Sequence, residues 1–492
     1  MSISRIMRLL ALLVTLHVAQ VTWPQAPFDL DLSFRTGLNV RYVSSIAEFS
    51  NGDVLLSGVL RWPGDQFDRG YVRVTASGDR VLPFPDFAPD GGRITPWNSR
   101  YYIGNGAGVR RIFEDGTVDT GYILTSAGPY VFALQGGDYH VYPDGRVLMS
   151  GAHVLSDSIR GFEGLYSLIW FTNTGYLDTT RTHRLCNGVI YAIEEQPDGK
   201  FLCTGTMTTY EGQPVNTVFR VWADGTLDTT FEAPLQWYGG ARDYLTLPDG
   251  RILVAGPLKL QGSDQVQGLI RLHADGSLDA SFNLLEFYAT FNGSGIPVVG
   301  SIHQLSPYRF IVTGVFDQVN GLDRGGIAMI DSSGALVEDV FDGLGCGAYD
   351  YVVSSGTTTY KSIAGIVPAA DGSFYIYGAY HGYDDGTTND TTQRMVSRLY
   401  GLNVGVREPP LPNHVLHISP NPSDGPIRID LIGTSWPNTS IAIRDAQGRT
   451  VTSFTMSGPT QWLDLSNLAP GCYVVCISDL RGERYHTNWL KQ

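Results

Sequence analysis

The chain has 492 residues, including 58 glycines and 26 tyrosines, and a formal charge of −14. That length exceeds one small domain, and glycine at about an eighth of all residues, against a usual ~7%, signals many turns. The acidic balance excludes nucleic acid or an anionic membrane surface as the main partner, since both demand clustered cations; it suits the solubility of an exported protein.

The N-terminus reads as a secretory signal peptide over residues 1–19. Arg5 and Arg8 precede the apolar run that opens at Leu9-Leu10-Ala11-Leu12-Leu13-Val14, and cleavage after Ala19 exposes Gln20. The run is too short to span a bilayer, and no later run is long and apolar enough for a membrane helix.

From residue 20 to 403 a short phrase returns seven times. Four copies are plain: Pro143-Asp144-Gly145-Arg146, Pro197-Asp198-Gly199-Lys200, Pro248-Asp249-Gly250-Arg251 and Ala370-Asp371-Gly372-Ser373, each followed by hydrophobic residues. A fifth reads Ser50-Asn51-Gly52-Asp53, and two are worn, at Trp97-Asn98-Ser99-Arg100 and Ser306-Pro307-Tyr308-Arg309. Between them lies a second phrase, clearest as Ala223-Asp224-Gly225-Thr226-Leu227-Asp228-Thr229-Thr230-Phe231 and Ala274-Asp275-Gly276-Ser277-Leu278-Asp279-Ala280-Ser281-Phe282. Asp-Gly between apolar runs marks hairpins, because glycine accepts positive φ and aspartate tolerates it. Two hairpins make four strands, and seven such units at a period near 50 residues describe a seven-bladed β-propeller. The arginine of Arg-Leu lies on a strand where it can pair with the aspartates of the phrase.

The two ends of this region complete one another. Asp29-Leu30-Asp31-Leu32-Ser33-Phe34 matches the tail of the second phrase, and Val396-Ser397-Arg398-Leu399 matches the strand before it. Residues 29–34 are therefore expected to pair with the blade containing 371–399, which removes the exposed edge of an open array.

Together these phrases, over roughly residues 29–402, resemble the delta-60 repeat, a β-propeller repeat of bacterial surface and secreted proteins. The resemblance implies a propeller and carries no common catalytic residues.

Residues 404–412 hold the proline cluster Pro409-Pro410-Leu411-Pro412 and read as a stiff linker. Residues 413–492 alternate in short segments that describe a small antiparallel β-sandwich. Their ordered motifs resemble the type A C-terminal sorting domain of the type IX secretion system: Pro420-Asn421-Pro422, then Asp445, Gly448 and Arg449, then Leu468, Pro470, Gly471 and Tyr473, and finally Lys491. That resemblance implies export across the outer membrane of a Gram-negative bacterium of the Bacteroidota type. It also implies contact with the secretion machinery, and removal of the domain with attachment of the remainder to surface lipopolysaccharide. The expected location is the outer surface or the medium.

Chemistry is sparse. No His-Glu-x-x-His, phosphate-binding loop or Gly-x-Ser-x-Gly occurs. The five cysteines (Cys186, Cys203, Cys346, Cys472, Cys476) form no Cys-x-x-Cys pair; Cys186 and Cys203 either bridge or lie buried and unpaired. Asp384-Asp385-Gly386-Thr387-Thr388-Asn389-Asp390 is the best cation candidate by oxygen density, but its spacing fits no calcium loop, so it reads as a hairpin tip. Glu194 and Glu195 are adjacent on a strand and face opposite ways. No catalytic, cofactor or metal residue is therefore assigned. Two classes remain: a non-catalytic binding or adhesion propeller, and a propeller glycoside hydrolase or polysaccharide lyase. A cluster of carboxylates in the central funnel is the feature that would favour the enzyme.

Overall fold

The structure, a computed structural model, describes residues 25–85, 91–105, 107–126, 131–159, 161–291, 295–353, 356–402, 415–432, 439–445, 449–456, 458, 460–478 and 484–492. The signal-peptide and linker readings fall outside them. The chain divides into two compact units, Met1–Val404 and Gly405–Gln492.

In the first unit the described residues form seven antiparallel blades. Their inner, middle and third strands are Val40–Glu48, Val54–Arg61 and Arg69–Val74 in blade 1, and Arg93–Trp97, Arg100–Asn105 and Gly108–Phe113 in blade 2. Blade 3 has Val131–Val141, Val147–Asp157 and Phe162–Phe171; blade 4 has Ile190–Glu195, Phe201–Gly205 and Val218–Val221. Blade 5 has Asp243–Thr246, Ile252–Leu260 and Val266–Leu272, and blade 6 has Val298–Ser306, Arg309–Val315 and Ile327–Asp331. Blade 7 has Ser362–Pro368, Phe374–Asp384 and Asn389–Leu399.

The fourth strand is shorter than the sequence suggests. In each blade it is a single bridge: Val74↔Arg80, Ile112↔Val118, Phe171↔Leu177, Val221↔Leu227, Leu272↔Leu278, Ile330↔Leu336 and Leu399↔Leu30. The second aspartate of the phrase ends it. Asp228 N–H still donates to Arg220 O at 2.9 Å, but its carbonyl accepts from Phe231 N–H at 3.3 Å, so the chain turns away.

In blades 2, 4 and 5 that aspartate, not the one in the turn, is the arginine's partner, whereas Arg398 of blade 7 pairs with the turn aspartate Asp371 and lies 3.7 Å from Asp31. Arg220 Nε reaches Asp228 Oδ2 at 2.8 Å, and Arg111–Asp119 and Arg271–Asp279 repeat the contact at 2.7 Å. Each guanidinium also donates to a turn carbonyl of the following blade: Asn173, Ala274 or Ser332. In these three blades the repeated arginine therefore ties the outer edge to its neighbour.

Between blades the core is apolar. Successive residues of a middle strand face opposite blades. Val312 thus packs with Leu253 and Ala255 of blade 5, while Ile311 packs with Ile363 and Ile376 of blade 7. Both faces are buried, so the strands read as continuous hydrophobic runs rather than alternating ones.

The ring closes through its ends. Phe28 N–H donates to Tyr400 O, Tyr400 N–H to Asp29 O, and Asp31 N–H to Arg398 O, at 2.8–2.9 Å. Phe34 then packs with Tyr375 and Val396 of blade 7. This is the pairing expected from the split phrase.

The second unit holds two sheets. One orders Val415–Ser419, Pro426–Ile432 and Thr460–Asp464; the other orders Thr450–Met456, Thr439–Arg444, Gly471–Ser478 and Arg484–Lys491. Ile427, Ile429, Ile441, Ile443, Val475 and Trp489 fill the space between them.

Candidate ligand site in the propeller channel

Both Asp-Gly turns of a blade lie at the same end of its sheet, because strands alternate in direction. The longer connections lie at the other end, where the inner strands begin. Phe67, Phe132, Ile159, Trp237 and Val352 are exposed on these connections and strand starts.

There the inner strands share a device the repeat phrases do not reveal. Their register slips by one residue at Ser44, Tyr191, Gly300 and Ala364, and again by one at Gly137–Asp138, which together stand opposite Ser150. Arg242 holds the corresponding place in blade 5, its N–H donating to Ala255 O at 2.7 Å. Opposite stand Gly58, Gly151, Gly205, Gly256, Gly314 and Gly378. A Cβ on any of them would lie 1.8–2.6 Å from a backbone carbonyl of the inner strand. Glycine there lets the inner strand bulge, and a bulge re-aims its side chain. Ser44, Gly137, Tyr191, Arg242, Gly300 and Ala364 all line one cavity of about 480 Å³ on the propeller axis. Blade 2 has no slip and sends in Arg93 instead.

The cavity wall carries three carboxyl groups, Asp138, Glu194 and Asp243, with Arg93 and Arg242. Most are committed. Arg93 Nη1 lies 3.3–3.4 Å from both Asp138 oxygens, and Asp138 Oδ1 also accepts from Tyr139 N–H at 2.8 Å. Asp243 accepts from Tyr244 N–H at 2.9 Å and from Ile302 N–H of blade 6 at 2.7 Å. Burial nonetheless pushes Asp243 up to about 6 against those bonds and the pull of Arg93. Glu194 has no hydrogen-bond partner among the described residues. Burial pushes its carboxyl up to about 7, opposed by Arg93 and reinforced by Asp243 and Asp138. Its neighbour Glu195 lies beside His140 Nε2 at 3.2 Å, away from this wall.

The acidic loop at 384–390 is a latch. Asp385 Oδ1 accepts from Thr387 N–H, Thr387 Oγ1 and Thr388 N–H, and its Oδ2 accepts from Leu30 N–H at 2.6 Å. Asp390 accepts from Thr392 and holds Arg35 at 2.7 Å. Among the described residues no set of His, Cys, Asp and Glu gathers as metal ligands. Cys186 and Cys203 are buried and unpaired.

In the second unit the first and last sorting motifs meet. Asn421 Oδ1 accepts from Leu490 N–H at 3.0 Å, Trp489 Nε1 donates to Ser423 Oγ at 2.9 Å, and Ser423 bridges Lys491. The Lys491 ammonium is buried and donates to Asp424 O at 2.6 Å and Gln492 O at 3.0 Å. Pro420 and Pro422 flank this contact on an exposed turn. Tyr473 packs on Trp489 with ring centroids 5.4 Å apart and donates to Ala469 O, between Leu468 and the Pro470-Gly471 pair. Asp445 and Arg449 pair at 2.7 Å across a separate turn, and Gly448 lies outside the described residues.

The fold is thus a seven-bladed β-propeller followed by a small β-sandwich. Residues 196–231 and 247–282 match a family described as "Domain of unknown function (DUF5122) beta-propeller", and residues 417–487 match the "Secretion system C-terminal sorting domain". The delta-60 name is not part of the first description. The sorting tail directs secretion to the cell surface or beyond it in Bacteroidota. No curated protein matches the chain. Among solved structures it is similar to PorZ, a surface component of the type IX secretion system of Porphyromonas gingivalis, at 13% identity and TM-score 0.32, covering 92% of this chain and 66% of that one. It is also similar to a Bacteroides caccae protein of unknown function at 15% identity and TM-score 0.31, covering 58% and 93%. The Neurospora crassa Pan2 WD40 domain is similar at 9% identity and TM-score 0.31, covering 77% and 98%.

Proposed function

We propose that this chain is an extracellular binding propeller that takes a small ligand into its axial channel and performs no chemistry on it. The observation that carries the reading is the bulge ring. Six blades use a backbone irregularity to turn a residue into one cavity; two of these are glycine, and the side chains of the other four, Ser44, Tyr191, Arg242 and Ala364, differ from blade to blade, as a binding site on a repeating frame requires. The exposed apolar side chains at the same end suit a recognition face. The resemblance of the tail to type A sorting domains supports removal of that domain and attachment of the propeller to surface lipopolysaccharide.

Thermal shift of the full chain against a panel of extracellular saccharides and peptides tests this reading. At least one compound should stabilise the protein, and Tyr191→Ala or Arg242→Ala should remove the effect. Stabilisation indifferent to both substitutions, or none by any compound, would overturn it.

The enzyme alternative gains one observation, the Glu194 carboxyl near 7, where a general acid or base works well. Glycoside chemistry needs two available carboxyl groups. Here Asp138 is held by Arg93 and Asp243 by two backbone N–H groups, which leaves Glu194 alone. Turnover of any panel compound, lost in Glu194→Gln, would establish the alternative.

A further inference from the structure

Of the five charged groups on the channel wall, one cation and one anion have no partner among the described residues. Arg93 is held by Asp138, and Asp243 by Tyr244 and Ile302. Arg242 makes no side-chain hydrogen bond or ion pair among the described residues, and neither does Glu194. Glu194 is half-buried, and burial raises its pKa, whereas the Arg242 side chain is exposed toward the open end of the cavity. Leaving the half-buried Glu194 unmatched costs stability, and a carboxyl kept at that cost beside an unpaired guanidinium on the same cavity wall marks a binding site.

Their placement is ordered along the axis. Glu194 pairs with Leu202 and Asp243 with Ala255 in blades that superpose turn on turn, so Leu245 stands level with Glu194. Arg242 is three residues nearer the end where the inner strands begin, about 10 Å of strand rise. Tyr191 of blade 4 stands level with Arg242. Its hydroxyl oxygen accepts from Gln135 Nε2 at 3.0 Å, so its own proton is free to donate into the cavity. One level thus offers a guanidinium and a hydroxyl donor, and the level below it offers a carboxylate.

We propose that the channel binds a small zwitterion, with its carboxylate on Arg242 and Tyr191 and its ammonium on Glu194. This rests on the channel being the binding site. An anion alone would sit against a wall with three carboxyl groups, and a cation alone would leave Arg242 unmatched beside it. A metal ion lacks a ligand set here. A cavity of about 480 Å³ has room for an amino acid or a short peptide and lies within the usual range of ligand pockets. A bound ammonium stabilises ionised Glu194, so binding near pH 7 releases protons.

The test is calorimetry of the full chain with L-alanine, L-alanyl-L-alanine and tri-L-alanine, each also N-acetylated and each also C-amidated. Two buffers of different ionisation enthalpy are used at pH 7. At least one unblocked probe should bind, and the length preferred separates a free amino acid from a peptide. Blocking either end should weaken binding at least tenfold. Arg242→Ala and Glu194→Gln should do the same, and Glu194→Gln should also abolish the buffer-dependent proton release. Neither side chain has a partner to lose among the described residues, so both variants should keep the wild-type melting temperature or exceed it. Equal binding of blocked and unblocked probes, or no binding of any, overturns the inference. If no probe binds but a saccharide does so in an Arg242-dependent way, the zwitterion is wrong and the channel reading stands. If neither class binds, both fail.

Discussion

The backbone N–H of Leu30 donates to the Asp385 carboxylate at 2.6 Å, joining residues 355 apart in the chain. The bond fixes the N-terminal segment at the point where it completes blade 7, beside the Leu30↔Leu399 bridge and the Arg35–Asp390 ion pair. The other Asp385 oxygen is occupied by Thr387 and Thr388, so the carboxylate links the loop to the incoming strand.

Opening this latch should therefore loosen the ring. Asp385→Ala leaves the Leu30 N–H and three loop donors without their acceptor and should cost about 2–3 kcal/mol. Deleting residues 29–40 should lower the melting temperature further. Thermal denaturation in the two variants checks both; an unchanged midpoint in the deletion would count against closure by the N-terminal segment.

The same commitment of oxygens predicts indifference to calcium. Asp384, Asp385 and Asp390 already accept from Gly386, Asn389, Thr387, Thr392 and Arg35. Millimolar calcium or EDTA should move the melting temperature by less than about 1 °C, since only a ligand that binds the native state shifts it. A clear stabilisation by calcium would restore the loop as a cation site.

Two groups of carboxylates should give stability opposite slopes with pH. Burial raises Asp228, but the Thr230 hydroxyl and N–H and Arg220 outweigh it and bring it down to about 2; Asp279 and Asp390 are lowered in the same manner. Their contribution is present above the unfolded value near 3.9 and is lost as pH falls through 4 toward 2. Glu194 and Asp243 are raised to about 7 and about 6. The folded state keeps protons there that the unfolded chain has released, so stability falls as pH rises from about 4 to 7. Glu194→Gln should gain roughly 1 kcal/mol at pH 8, after allowance for screening in the channel. Asp228→Ala, which strands Arg220, should lose about 3 kcal/mol at neutral pH. Denaturant curves at pH 3, 5 and 8 read all of these.

Much of the fold is legible because turn chemistry repeats. Asp-Gly at 144–145, 198–199 and 249–250 punctuates the chain wherever a hairpin must reverse, and Asp31 repeats the duty of Asp228 at the other end. One of the two worn copies survives by other means: Asn98 and Ser99 both take positive φ in a tight turn, at 45° and 59°. The channel is hard to read for the opposite reason. A binding wall is made of what does not repeat, so Arg93, Asp138, Tyr191, Arg242 and Asp243 match no phrase. A signal was nevertheless present in the glycine that recurs within the middle strand of six blades, as in Thr204-Gly205, Ala255-Gly256 and Thr313-Gly314. It marks a close backbone approach, and hence a bulge opposite. Glu194 and Glu195 do part company across the strand, but their separation conceals that Glu194 joins carboxyl groups from blades 3 and 5. The acidic loop misleads in another way: sequence shows its oxygens and not the Leu30 N–H and Arg35 that occupy them.

The sorting tail allows a prediction about folding and routing together. Lys491 and Asn421 join the last strand to the first turn, so Lys491→Ala should destabilise the sandwich by about 1–2 kcal/mol. Residues 413–492 fused to a reporter should carry it to the surface of a type IX-competent cell. A chain truncated at Pro412 should stay in the periplasm. Normal surface delivery of that truncated chain would remove the sorting role.

Whether the channel is prepared for a ligand turns on Glu194, a half-buried carboxyl with no partner among the described residues. Carbon-13 NMR titration of the side-chain carboxyls, assigned by Glu194→Gln, measures it directly. The account predicts a Glu194 midpoint near 7 in the free protein, falling when a channel ligand binds. A midpoint at the ordinary glutamate value near 4.3, unmoved by any ligand that binds the protein, would contradict it.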